Sequence, residues 1–296
     1  MAGERGDRAV QGSPLLVIYI ALGFCTLLVQ RPWWQAVVNY AVLLPGYVLA
    51  IRWWTRRDRP LTLGIDIRPR SPRAEWLVLG FVVAVTVVLS VWFWQHPRIP
   101  TPADAPSKID PEATLAAVAR NALGITIVML VPTALLCLVL RLRPREVGLV
   151  PRRIGLGVAL VVFGIAFAVT IQLATGQLLY PVFTMTAFAL PIYLVHTFVN
   201  GLPEEILFRG LVMSRWLALV SSPANAIVLS SLMFSALHLP IEMWRRDAVP
   251  GWRIVVEGLS NQPTGLVWGY LYYRTRSVWP GIVWHTSFTT LGLLFF

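Results

Sequence analysis

Charge is scarce in this chain. Of its 296 residues, 13% are Asp, Glu, Lys or Arg and 56% are hydrophobic, with a mean hydropathy of +0.66. A soluble domain carries about twice that charged fraction, so one aqueous core cannot hide this much apolar material. Lysine is nearly missing: Lys108 stands alone, and the formal net charge of +11 is an arginine charge. Those arginines fall in short segments between apolar runs. That argues against a nucleic-acid partner, which needs a basic face on an aqueous domain, and reads as topology signals beside anionic headgroups. Cysteine is equally thin. Cys25 and Cys137 lie inside apolar runs, which leaves no disulfide framework and no thiolate metal spacing. The common zinc-protease motif HExxH is also missing, as is any sequence repeat of solenoid or transporter type.

What is present is a series of apolar runs. A span needs about 20 mostly apolar residues, and the candidates are Pro14–Val29, Trp33–Ile51, Trp76–Trp94, Ala113–Leu140, Ile154–Ala174, Met185–Leu219, Ala224–Leu239, Pro263–Tyr273 and Val278–Phe296. The sixth is too long for one straight span and contains Pro203, which implies a kink or two pieces. The pattern predicts an all-α, polytopic transmembrane bundle of eight or nine helices. Residues 1–184 hold the first five of these runs and 185–296 the remaining four. The N-terminus resembles a signal peptide but has no small-residue cleavage site, so its apolar run reads as a retained first span.

Arginine sets the orientation. The segment Arg52–Arg73 holds seven arginines and Arg141–Arg153 five more, so both read as cytoplasmic. Gln95–Glu112 and Gly176–Thr184 then fall outside. The N-terminus lies inside, together with Arg215, Arg274 and Arg276. The expected location is a bacterial plasma membrane. The connector Pro240–Asn261 mixes charges with Trp244 and Trp252, which suits an amphipathic helix at the interface.

Ionisable residues within spans are expensive, each costing at least about 2.5 kcal/mol at the bilayer centre. Here they gather in the last third: Glu204, Glu205, Arg209, His238 and His285. Adjacent helical residues are rotated by about 100°, so Glu204 and Glu205 are not expected to face one point. Glu205 and Arg209, four apart with the acid first, make a favoured helix ion pair. That leaves Glu204 without an in-helix partner, aimed elsewhere as a candidate general base. Phe234 and His238 share a helix face. A carboxylate and two imidazoles from three apolar helices can meet only inside the bundle. Two chemistries fit: a glutamate base with histidines binding water and the carbonyl oxygen, or a His2Glu site for a divalent metal such as zinc at Glu204, His238 and His285. Gly265 and Gly269 read as a close helix-packing patch. His96 reads as interfacial and His196 as structural.

Pro203-Glu-Glu-Ile-Leu-Phe-Arg-Gly210 resembles the EExxxR signature of the CAAX prenyl protease and bacteriocin-processing family, also called ABI. Phe234 to His238 resembles its FxxxH motif, and Gly265 to His285 its third block. Their order agrees too, with 34 residues from Glu204 to His238 and 47 more to His285. The resemblance implies an intramembrane endopeptidase acting on membrane-associated peptides. Glu204 would activate water, Glu205 and Arg209 would support it, and His238 and His285 would complete the site. It leaves glutamate-only and metal-assisted chemistry both open. One departure stands out. The family's Asn four residues after the last His is Thr289 here, and a hydroxyl cannot offer the two donors of an amide. Asn200, one turn before Glu204, is a candidate substitute donor. The alternative reading is a weakly active or inactive relative serving as a membrane immunity or scaffolding protein. A proton-coupled transporter is a third.

Overall fold

The computed structural model describes residues 13–30, 33–62, 66–95, 126–175, 201–220, 222–245, 250–260 and 263–286, with isolated positions between. Among these the fold is all-helical, with no β-strand. Helix α1 is Pro14–Gln30, and α2 runs as Trp33–Val37, Val38–Leu43 and Leu44–Trp54. Next come α3 (Pro72–Gln95), α4 (Thr126–Leu130 with Val131–Val139) and α5 (Ile154–Thr175). Helix α6 covers 201–220. It is followed by α7 (Pro223–Arg245), α8 (Gly251–Ser260), α9 (Pro263–Thr275) and α10 (279–286). Among the described residues no helix is long and apolar enough to cross a membrane, so the expected transmembrane character does not follow from helix length.

One boundary differs from the sequence reading. Helix α7 runs past Leu239 through Pro240 to Arg245, taking in residues assigned to the connector. Hydropathy falls there, but backbone pairing does not depend on hydropathy. Pro203 lies in helical backbone, within 201–220 and with helical residues at 198–199 before it.

Three helices widen into π turns at Val38–Leu43, Thr126–Leu130 and Glu205–Met213. The first two end just before Pro45 and Pro132. A proline offers no N–H and presses on the carbonyl four residues back, and the looser i→i+5 turn relieves both. The third has no proline behind it and begins at Glu205, directly after Glu204.

Helix α7 is central, packed against α1, α3, α6, α8 and α9. Its seam with α9 is built on the small residues singled out from sequence. A Cβ on Gly265 would lie 3.2 Å from the Ser231 side chain, and one on Gly269 3.0 Å from Ile227. Glycine lets the two backbones approach. Helix α1 starts at Ser13, whose hydroxyl accepts from Leu16 N and donates to Asn225 at the start of α7.

The arginine-rich segments meet at one end of the bundle. Arg153 pairs with Asp58 at 2.6 Å, Arg68 with Glu146, Arg276 with Asp66, and buried Arg215 with buried Glu75. Arg274 donates to the Thr55 carbonyl at 2.7 Å, and Arg70 donates to that of Leu140. The Asp58 carboxylate raises the Arg153 pKa above its ordinary value by hydrogen bonding and charge. The segments expected to share one side therefore do share one end.

Candidate active site

Helix α6 brings Glu204 and Glu205 to the interior, α7 brings Phe234 and His238, and a helical hairpin brings Trp268 and His285. The hairpin is tight. Arg276 ends α9 in the left-handed conformation (φ 56°), its N–H reaching back to the Tyr272 carbonyl at 2.8 Å, a common way to stop a helix. Helix α10 then begins around Pro280.

The two glutamates do different things. Glu205 and Arg209 are each 1% exposed and lie 3.4 Å apart. Glu205 Oε1 also lies 3.1 Å from His285 Nδ1. Glu204, at 14% exposure, is the more accessible carboxylate. Its Oε2 is 3.7 Å from His285 Nε2, and its Oε1 is 4.0 Å from His238 Nε2. The adjacent glutamates face different points, as their rotation about the helix axis requires: Glu205 meets His285 at Nδ1, and Glu204 lies toward Nε2 of the same ring.

Ring tautomers follow from partners. The Phe234 carbonyl, 3.0 Å from His238 Nδ1, can only accept, so Nδ1 carries the hydrogen and Nε2 of the neutral ring presents its lone pair toward Glu204. Likewise His285 Nδ1–H donates to the Glu205 carboxylate, leaving Nε2 directed at Glu204. The site thus gathers acceptors around one point at distances too long for direct hydrogen bonds.

An aromatic floor supports this arrangement. Trp268 stacks on His285 with centroids 4.0 Å apart and a 23° tilt. Phe234 lies 4.8 Å from the His238 ring and edge-on to His285 and Phe208. The Arg209 guanidinium sits over Phe234 at 4.5 Å and over Trp268 at 5.2 Å. Trp268 and Gly281 were missed from sequence. Both fall within the Gly265–His285 block, where neither was given a role. A Cβ on Gly281 would stand 2.8 Å from Glu205 Oε2. Because Glu205 is held by both Arg209 and His285, it has little room to retreat. Gly281→Ala is expected to cost about 1–3 kcal/mol of stability by overpacking, and to displace the carboxylate from His285. Thermal unfolding of the purified variant measures this.

The carboxylate and two imidazoles are donor types that zinc accepts. Among the described residues, however, no group of three or more His, Cys, Asp or Glu side chains is arranged to hold a metal ion. The metal considered at Glu204, His238 and His285 is therefore not carried into the mechanism. Thr289, Asn200, His196 and His96 lie outside the described residues, as do Gly176–Thr184 and most of Gln95–Glu112.

An all-helical bundle with an accessible carboxylate between two imidazoles, braced by a second carboxylate and an arginine, has the parts of a water-activating site. Residues 186–291 match the family described as type II CAAX prenyl endopeptidase Rce1-like. Every site residue from Glu204 to His285 lies inside the match. No curated protein and no solved structure matches the chain.

Proposed function

We propose that this protein is a membrane-embedded endopeptidase that cleaves a membrane-proximal peptide bond with water activated by Glu204. The observation carrying this reading is the position of the Glu204 carboxylate between Nε2 of His238 and Nε2 of His285. A water there gives one proton to Glu204 as its oxygen bonds to the scissile carbonyl carbon, and the carbonyl π pair moves to oxygen. Collapse of the tetrahedral intermediate breaks the C–N bond, and the proton held by Glu204 passes to the leaving nitrogen. The two imidazoles orient the water. Glu205 fixes the His285 ring, and Arg209 balances the buried charge.

Support for a bilayer setting comes from the outer surface. Helices α1, α3, α4 and α5 turn large aliphatic side chains outward, among them Val17, Leu77, Val139 and Val162. Water seldom faces this much aliphatic surface on a monomer. Helix α8 buries Ile254 while exposing Trp252 and Val256, which suits a helix lying in the interface. The arginine-rich end is then the cytoplasmic one. Prenylated or other lipid-anchored peptides are the substrate class.

The deciding experiment compares peptide cleavage by purified, solubilised wild type and Glu204→Gln. Cleavage retained by the variant removes Glu204 from the chemistry. Biological function unchanged without the carboxylate favours the scaffolding alternative.

A further inference from the structure

Behind the acidic pair lies a second group of buried polar atoms, partly contributed by a helix outside the matched segment. Tyr19 of α1 is 3% exposed, and Ser235 of α7 is fully buried. The Tyr19 phenol lies beside the Ser235 hydroxyl and within the field of the Arg209 guanidinium. Yet Tyr19 Oη, Ser235 Oγ, Glu205 Oε2 and both terminal nitrogens of Arg209 make no well-formed hydrogen bond. This is not a stray side chain. Helix α1 packs along α7, with Ser13 bonded to Asn225 at its start, so Tyr19 is presented to Ser235 by a fixed parallel pair.

These groups complement one another. The terminal nitrogens of Arg209 bring only donors, whereas the two hydroxyls both donate and accept. Each buried polar atom left unmatched costs its desolvation, and a guanidinium in an apolar interior costs more. A bridge the size of water, meeting two to four polar partners, satisfies such a set. We propose that Tyr19 and Ser235 hold the Arg209 guanidinium through a bridging water, and so set the Glu205 carboxylate that orients His285. Tyr19 is then a positioning residue for the reaction, supplied by the first helix. It touches no reacting atom. Its influence runs through Arg209, Glu205 and His285 to the water at Glu204.

The inference rests on the endopeptidase reading, and one experiment separates the two. Full-length wild type, Tyr19→Phe, Ser235→Ala and the double variant are compared in steady-state peptide cleavage. Each single change should lower kcat about tenfold, the value of roughly one hydrogen bond, with KM unchanged. The double variant should be no worse than the worse single, because both hydroxyls act through one bridge. Wild-type kcat in Tyr19→Phe, an effect on KM alone, or losses that multiply in the double variant overturn the proposal. An inactive wild type defeats the endopeptidase reading instead. The bridge is then judged by the same cycle on thermal unfolding, where additive losses overturn it.

Discussion

Glu204→Gln should abolish peptide cleavage while leaving the bundle folded. The amide matches the carboxylate in size but cannot take a proton from water. A positioned general base contributes about 10²–10⁴-fold to rate, so the residual rate should fall by at least that lower factor. Folding should hold because Glu204 makes no hydrogen bond or arginine pair that the bundle depends on; its neighbours are the two ring nitrogens at 3.7 and 4.0 Å. The measurements are cleavage kinetics on solubilised protein and the unfolding temperature of the same preparation. An inactive variant that melts like wild type places the loss in the chemistry. An unfolded variant would move Glu204 from base to structural group.

Glu205→Ala should behave in the opposite way and destabilise the protein outright. Its partner Arg209 is 1% exposed and 3.4 Å away, and no water at the surface can take over the charge. Breaking a buried ion pair by deleting one member costs about 3–5 kcal/mol, since the survivor is left uncompensated. The aromatic faces of Phe234 and Trp268 offset part of this by cation–π attraction, worth about 2 kcal/mol when desolvated. Activity should fall as well, because His285 loses the acceptor that orients its ring. Thermal or denaturant unfolding checks the first effect. A stability unchanged within about 1 kcal/mol would mean that Arg209 is balanced by other groups. Removing Arg209 together with Glu205 should recover much of the loss, since a buried pair replaced whole by apolar residues is often near neutral.

Much of the helix layout could be read along the chain. Pro14, Trp33, Ile154 and Pro263 were expected helix starts, and each begins a helix. Apolar runs bounded by proline, tryptophan and arginine are local signals, and local signals survive folding. The common end for Arg68, Arg153, Arg215, Arg274 and Arg276 was legible for a different reason: the arginines cluster in alternate connectors between the apolar runs. The order of Glu204, His238 and His285 pointed to the site because polar groups in apolar helices have nowhere to go but inward.

Other features were decided in three dimensions. Whether Glu204 and Glu205 serve one histidine or two depends on where an imidazole from α10 enters between them, and the left-handed turn at Arg276 sets that. The stacking of Trp268 on His285, the room that Gly281 leaves for Glu205, and the approach of Tyr19 to Ser235 all join residues from different helices. The apolar pattern tells which face of a helix is buried. It carries no information on helix rotation to within one side chain, and these contacts are built at that scale.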